Sequence, residues 1–397
     1  MKVLLLNQFF HPDLSATAQL ATDLGEDLVA SGLEVTALAA RGSYLGGGKL
    51  PGHEVHRGIR IERVRCTSLG KGTIARRLLD YATFYLSTAA RALFSRRHDV
   101  VVAMSTPPLV ATVGAMLRRL RGTRFVYWLQ DVYPELAVEF GVLGARSLTA
   151  RALDAISRLT LRSADLVVVP GDAMADRVLG KGVDPSRVRV VPNWADERAL
   201  RPVPREANEF RRTHDLDGKR VVLYSGNMGR AHDLETLFDA ARLLRGERDL
   251  VFLFVGDGAK RGAVEAAARE LPSVRLLPYQ PREGLSESLS AGDVHVVTQE
   301  PFTIGLIEPS KLYGVMAVGR PVLFIGPPGT EGARTVEREA IGEVVAVGEP
   351  AAVAAALGRL LHRSAELGAR ARAAFERGYS RSLRTARFGE LIRTLAP

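Results

Sequence analysis

One rhythm constrains the fold of this chain more than any other feature: short, nearly continuous apolar runs alternate with helical stretches, and the pattern occurs twice. The first series reads KVLLLNQFF, EVTALAA, GIRIERV, DVVVAM, RFVYWLQ, DLVVVPG and RVRVVPN. After PNWADERALRPVPREANEF it restarts with KRVVLYSGN, DLVFLFVGDG, SVRLLPY, DVHVVTQ, RPVLFIG and GEVVAV. Apolar strands with helices between them belong to a parallel sheet covered on both faces. The expected fold class is therefore α/β, with two Rossmann-like, doubly wound units in succession. The 397 residues exceed what one hydrophobic core normally holds and suffice for two. The expected boundaries are residues 1–195, a Pro- and charge-rich linker over 196–217 holding Pro202 and Pro204, a second unit over 218–380, and a last helix, 381–397, returning to the first unit. In open α/β sheets ligands sit beyond the carboxyl ends of the strands, so the loops after strands should carry the chemistry, facing a cleft between the units.

Several function classes are excluded early. The single cysteine, Cys66, rules out an intramolecular disulfide and any cysteine-built metal cluster. The opening MKVLLLNQFF is interrupted by Asn7 and Gln8 before it reaches signal-peptide length, and reads as a buried first strand. The longest apolar stretch is broken by Ser105, Thr106 and Pro107-Pro108, so no spanning helix is expected. No HExxH, paired CxxC or close Asp-x-Asp motif occurs among the scattered histidines and acids, and no metal or other cofactor is expected.

The net charge of +10 calls for an anionic partner, and its distribution narrows the choice. Ten Lys or Arg lie between Arg57 and Arg97, against two acids, Glu62 and Asp80. Within that span IARRLLDYATFYLSTAARALF reads as a helix with aromatic and aliphatic residues in its middle. Such a helix either rests in a membrane interface with its arginines at the head groups, or is a core helix with solvated arginines. A basic nucleic-acid-binding protein is the rival reading. No recognition helix, finger or aromatic RNA-binding signature supports it, and no nucleic-acid partner is expected.

In the second half, VVLYSGNMGRAHDLETLFDAARLL reads as strand, Gly-containing turn and amphipathic helix. Gly226 and Gly229 let backbone amides approach a diphosphate, the helix N-terminus favours negative charge and Arg230 supplies a cation, although an ordinary tight turn has the same spelling. A second helix start is expected at Pro309-Ser310-Lys311. Glu300 and Glu308, on the loop before it, are candidates for sugar or ribose hydroxyls or for plain solvation. GGGKL at 46–50 lacks the Ser or Thr of a P-loop and reads as a flexible loop. In the first half, FVYWLQDVYPELAVEFG sets Gln130, Asp131 and Glu135 just after a buried strand, beside aromatic residues. Carboxylates next to rings suit a sugar acceptor; a helix cap is the alternative for Asp131.

Taken together these residues resemble glycosyltransferase family 4 over nearly the whole chain. The marks are NQFFHPD followed by SATAQLATDLGEDL, LQDVYPELAVEFGV, VVPNWAD, LYSGNMG, FLFVGDG, LLPYQPREGLSESLSAGDV and PSKLYGVMAVGRPVL, in that order. QDVYPE and PSKLYG are similar to the subgroup that builds bacterial surface polysaccharides, which includes N-acetyl-fucosamine transferases. The resemblance implies a GT-B fold and a retaining transfer from a UDP-sugar to a lipid-diphosphate-linked saccharide. It further implies a cytoplasmic enzyme peripheral on the inner face of the bacterial membrane. A UDP-sugar epimerase is the alternative on the same architecture.

Site roles carry over residue by residue. Gly226, Asn227, Met228, Gly229 and Arg230 are implied at the donor diphosphate, with Gly256 of FLFVGDG beside them. Tyr279 and Gln280 are implied at the nucleobase, and Glu308, Ser310 and Lys311 at the diphosphate, ribose or sugar. On the acceptor side stand Ser15, Thr17, Gln130, Asp131 and Glu135, and the catalytic roles fall to Asp131, Lys311 and Arg230. The chain departs from the family at two places. Gln130 stands where many members have histidine, and alignment on MAVGRPV puts the usual glutamate pair at Leu306 and Gly314. That register ranks Ser310 and Lys311 above Glu300 and Glu308.

Overall fold

The structure, a computed structural model, describes residues 1–43, 48–67, 69 and 74–395. Gly46 and Gly47 of the GGGKL stretch lie outside the described residues, as does Lys71 of the basic span. The chain divides into two compact units. The first comprises Met1–Pro192, Gly305–Ile307 and the described residues from Ser382 on, and the second comprises Asn193–Ile304 and Glu308–Arg381.

In the first unit the strands are β1 (Lys2–Leu6), β2 (Glu34–Ala40), β3 (His53–His56), β4 (Ile59–Val64), β5 (Val100–Ala103), β6 (Arg124–Trp128), β7 (Leu166–Val169) and β8 (Val188–Val190). They form an eight-stranded sheet in the order β3-β4-β2-β1-β5-β6-β7-β8, parallel except where β3 runs back along β4. Runs such as VVVA in β5 and LVVV in β7 are buried at every position, as central parallel strands require. The helices are α1 (Ala16–Ala30), α2 (Ile74–Phe94), α3 (Thr112–Arg121), α4 (Glu135–Glu139), α5 (Leu148–Ser163) and α6 (Asp172–Gly180). Leu4 and Leu6 of β1 share one core with Phe84 of α2, Leu117 of α3 and Leu161 of α5, so these three helices cover the same face of the sheet. No helix among the described residues is long and apolar enough to cross a membrane.

In the second unit α7 (Glu209–Thr213) precedes β9 (Arg220–Ser225), α8 (Glu235–Leu243), β10 (Leu250–Val255), α9 (Arg261–Glu270), β11 (Val274–Leu277), α10 (Leu285–Ser290) and β12 (Val294–Thr298). There follow α11 (Lys311–Ala317), β13 (Val322–Ile325), α12 (Glu331–Arg338), β14 (Gly342–Val345), α13 (Pro350–His362), α14 (Ser364–Gly378) and α15 (Arg381–Arg393). The six strands are all parallel, in the order β11-β10-β9-β12-β13-β14. The stretch expected as a linker is structured and counted with this unit. Arg211 and Leu216 are buried there, and the Arg211 guanidinium donates to the carbonyls of Ala291, Leu216 and Lys219. A buried guanidinium holding three carbonyls ties the segment down despite its polar composition. Most of α15 is counted with the first unit, where Phe388 meets Trp128 edge to face with ring centroids 4.8 Å apart.

Candidate functional site

Three loops leave the carboxyl ends of the neighbouring strands β9, β10 and β11 of the second unit. The first two are pressed together by hydrogen bonds from the Met228 amide to the Asp257 carbonyl (2.8 Å) and from the Lys260 amide to the Met228 carbonyl (2.8 Å). Glycine is what allows this approach. Gly226 and Gly256 have φ of +124° and +141°, and a Cβ on Gly256 would lie 2.1 Å from the Gly226 carbonyl oxygen. Next in line, Tyr279 is 37% exposed with its hydroxyl 3.5 Å from the Asp257 carbonyl, and the Gln280 side-chain Nε2 donates to the Pro278 carbonyl. The sequence-predicted residues Gly226, Asn227, Gly229, Gly256, Tyr279 and Gln280 are thus brought to one edge of the sheet. Arg230 is exposed on the same loop as Gly229.

Two details of the expected cradle need correction. Met228 is fully buried in the hydrophobic core and both its backbone groups are taken by the neighbouring loop, so it builds the site and cannot line it. The helix after the glycine turn also starts later than its spelling suggests. Residues 230–234 intervene before α8, because His232 and Asp233 turn inward and are buried first.

Beneath the glycine loops lies Lys311, the first residue of α11. Its Nζ is buried without a hydrogen-bond partner and sits 3.8 Å from the centroid of the Tyr224 ring. A Cβ added to Gly226 would be 3.9 Å from that nitrogen, which places the ammonium directly under the loop. Burial pushes the Lys311 pKa down to about 7. A buried cation with only a ring face for company has an unmet electrostatic demand, which an anion beside Gly226 would satisfy. Burial, and next the Lys311 charge, hold His232 down at about 3, so this imidazole is neutral, with Nδ1 2.6 Å from the Thr298 carbonyl. Lys260 is different: its Nζ is paired with Glu300 Oε1 at 2.9 Å.

The glutamate question resolves unevenly. Leu306 is in the core of the first unit and Gly314 is inside α11 against Leu289 and Leu200, so the register positions offer no functional side chain. Glu300 is engaged by Lys260, whereas Glu308 is half-buried, with a buried Oε1 that has no hydrogen-bond partner. Burial, reinforced by the Glu331 charge, pushes Glu308 up to about 8. It is therefore a neutral acid at pH 7, able to donate to a hydroxyl or accept from one. Ser310 caps α11 through its position alone, with no side-chain cap bond.

The second cluster is in the first unit, at the ends of β5 and β6. Ser105 Oγ accepts the amides of Gln130 (3.1 Å) and Asp131 (3.0 Å) and donates to Asp131 Oδ2 (3.3 Å). Burial raises the Asp131 pKa to about 6 against the opposing pull of the Ser105 hydrogen bond. The capping alternative fails for Asp131, since the cap position of α4 is Pro134. Gly305–Ile307 lies alongside: Asp131 bridges to Ile307, and the Val132 amide donates to the Leu306 carbonyl (2.9 Å). Glu135 is drawn into an ion pair with the buried Lys181 (2.5 Å), which also holds Asp154 (2.8 Å). One Glu135 oxygen is thus held by Lys181, while its Oε2 is buried without a hydrogen-bond partner. Ser15 and Thr17 flank the start of α1, and the buried Ser15 Oγ has no partner.

Asn7 was not foreseen as a site residue. It follows β1, its side chain is buried, and its Oδ1 has no partner, while the next residue, Gln8, donates its amide to the Thr106 carbonyl (2.8 Å). The available signal was a polar residue breaking an apolar run at a strand end, the same signal that marks Ser105.

Comparison with known proteins gives the family and the fold. Residues 16–194 match the family described as "Glycosyl transferase 4-like domain", and residues 219–363 match "Glycosyl transferases group 1". A Pseudomonas aeruginosa protein named as the glycosyltransferase WbjE is 33% identical over 305 residues, covering 76% of each chain. An Escherichia coli K12 protein named for colanic acid biosynthesis, the glycosyl transferase WcaI, is 28% identical over 80% of this chain and 82% of its own. Among solved structures, sucrose-phosphate synthase from Thermosynechococcus elongatus superposes with a TM-score of 0.77 at 18% identity, covering 100% of this chain and 99% of that one. Anabaena HepE in complex with UDP-glucose gives 0.73 at 16% identity, covering 99% of this chain and all of that one. The two units therefore have the fold of GT-B enzymes.

Proposed function

The chain belongs to the glycosyltransferases that join a 4-like domain to a group 1 domain, and on that premise we propose that it moves a sugar from a UDP-sugar to a lipid-diphosphate-linked saccharide in bacterial surface polysaccharide synthesis. The observation that carries the donor assignment is the buried, unpartnered Lys311 under the Gly226 loop. The names of the relatives, one of them for colanic acid biosynthesis, support the polysaccharide context.

In this reading the donor diphosphate lies against the Gly226–Arg230 loop and takes Lys311 as its counter-ion. Once paired, Lys311 is protonated at neutral pH and stabilises the charge that grows on the leaving diphosphate. Tyr279 and Gln280 border the uracil, and Glu308, as a neutral acid, holds a sugar or ribose hydroxyl. The acceptor belongs to the first unit, around Asn7, Ser105 and Asp131. The bond from the sugar C1 to the diphosphate breaks, and the acceptor oxygen bonds to C1 on the same face through an oxocarbenium-like state. The acceptor proton passes to the departing diphosphate, with Asp131 as a second acceptor for it. Charge neutralisation by Lys311 and Arg230 makes the reaction independent of a metal. An N-acetylated deoxyhexosamine such as N-acetyl-fucosamine is the donor sugar favoured by the QDVYPE and PSKLYG spellings. The enzyme would work on the inner face of the cytoplasmic membrane, with α2 toward anionic lipid.

The test is incubation with a panel of UDP-sugars and a polyprenyl-diphosphate saccharide, with chelator present. Product carrying one added sugar is expected from at least one donor. No transfer from any of them, or an isomerised UDP-sugar formed without acceptor, contradicts the proposal.

A further inference from the structure

The ion-pair group beside Asp131 leaves one polar atom unanswered. Lys181 follows the last turn of α6 and is only 2% exposed. Its Nζ meets Glu135 Oε1 of α4 (2.5 Å), Asp154 Oδ1 of α5 (2.8 Å) and Ser157 Oγ of α5 (3.5 Å). Its backbone is held too, since its carbonyl accepts from Arg162 Nε (3.0 Å). Asp154 has a second cation, Arg158, which pairs with its Oδ2 at 2.7 Å across one helical turn. Glu135 is served differently: Lys181 takes Oε1, and Oε2 is buried with no hydrogen-bond partner. A carboxylate oxygen kept from water without a donor costs free energy, and a bound hydroxyl would relieve that cost.

Glu135 lies on the Asp131 side of the first unit. The Val132 carbonyl accepts the Leu136 amide (3.0 Å), a helical turn that brings Glu135 back to the face of Asp131, four residues before it. The buried Tyr127 of β6 feels both carboxylates, its pKa being raised by burial first and then by the charges of Asp131 and Glu135. α6 bears on both acids at once. Its first turn is pressed against Gly305, where an added Cβ would lie 2.5 Å from the Ala173 carbonyl oxygen, and Gly305–Ile307 is the segment that bridges to Asp131. Lys181, just past the other end of α6, holds Glu135.

We propose that Lys181 is a positioning residue for acceptor recognition: by holding Glu135 Oε1 it turns Oε2 toward the saccharide beside Asp131, where that oxygen accepts a sugar hydroxyl. The inference rests on the acceptor reading given under the proposed function and adds to it a residue outside the Asp131 motif. A buried ion pair contributes little stability beyond what apolar packing of the same volume would give, so scaffolding alone is a weak reason for a buried ammonium here. Its geometric effect is larger. A carboxylate with one oxygen fixed presents the other in a single direction, which removes the entropy cost of ordering it when the acceptor binds.

The experiment follows acceptor binding by calorimetry and transfer by steady-state kinetics on the full chain, with citronellyl-diphosphate-linked glucose, N-acetylglucosamine and N-acetylgalactosamine as probes. Wild type should bind and elongate at least one of them. Glu135→Gln and Lys181→Met should each raise the acceptor Kd and KM about tenfold or more, with a smaller change in kcat and with UDP affinity at its wild-type value. The two losses should not add, so the double variant should bind the acceptor no more weakly than either single variant. Asp154→Asn, which keeps the Lys181–Glu135 pair, should lower the melting temperature without moving the acceptor KM. A Lys181→Met protein that melts earlier yet binds the acceptor as wild type does would overturn the inference, as would losses that add in the double variant. Where Lys181→Met does not fold, the isosteric Glu135→Gln decides, and an unchanged acceptor Kd in it overturns the inference equally. Acceptor binding that depends on Lys181, without transfer from any UDP-sugar, would leave the positioning role standing and remove the proposed reaction. Binding of none of the probes would overturn both.

Discussion

Lys311 and Asp131 are the residues whose chemistry departs furthest from what their type does in water. The Lys311 pKa is lowered from 10.5 to about 7, so between those values the unfolded chain holds a proton that the ligand-free folded chain does not. The stability of the free protein should therefore rise with pH across that window, and the slope should be absent from Lys311→Met; denaturant titrations at several pH values read it. Binding UDP restores the proton, so calorimetry at pH 8 in buffers of different ionisation enthalpy should show uptake of about one proton by wild type and none by the variant. Asp131 shifts the other way, to about 6. If it takes the acceptor proton, kcat/KM for the acceptor should climb through that pH, and Asp131→Asn should erase the climb and lower the rate by about tenfold or more. The same substitution should leave UDP affinity unchanged. Two other residues show what single positions conceal. Met228 sits between site glycines and Glu135 follows the Asp131 motif, yet burial in the core claims Met228 and Lys181 holds one oxygen of Glu135. Their partners are distant in sequence, and neither fate has a local signature.

The glycine loops are the element on which the donor site depends, and they are also the most brittle. Gly256→Ala places a methyl group 2.1 Å from the Gly226 carbonyl at a φ of +141°, so one loop must retreat from the other. A loss of about 2 kcal/mol in stability is expected, with a larger proportional loss in UDP affinity, read by thermal melting and calorimetry. The strands that carry these loops were legible because their apolar runs are unmixed, and every run named from the sequence contains a strand. β3 was not legible. HEVH is four residues of alternating exposure on a sheet edge, held by pairing with β4, and its histidines and glutamate have no apolar rhythm. The helix expected after the glycine turn, α8, begins only at Glu235, because His232 and Asp233 are buried ahead of it.

At the scale of the whole chain, the first unit borrows from distant sequence. The first unit is completed by Gly305–Ile307 and by residues from Ser382 on, and Phe388 is fully buried against Trp128. Phe388→Ala should cost the first unit about 3 kcal/mol, read as an earlier urea transition in tryptophan fluorescence. The returning helix was among the expected boundaries; the isolated bridge from Asp131 to Ile307 was not, since no spacing in GLI announces which unit it will join. The account as a whole turns on a diphosphate held by the second unit. The most direct measurement is the affinity of the protein for UDP and for uridine, in wild type and in Lys311→Met. Wild type should prefer UDP by about tenfold or more, and the preference should collapse in the variant. Equal affinities in wild type, or a preference that survives the loss of Lys311, would contradict the donor site described above.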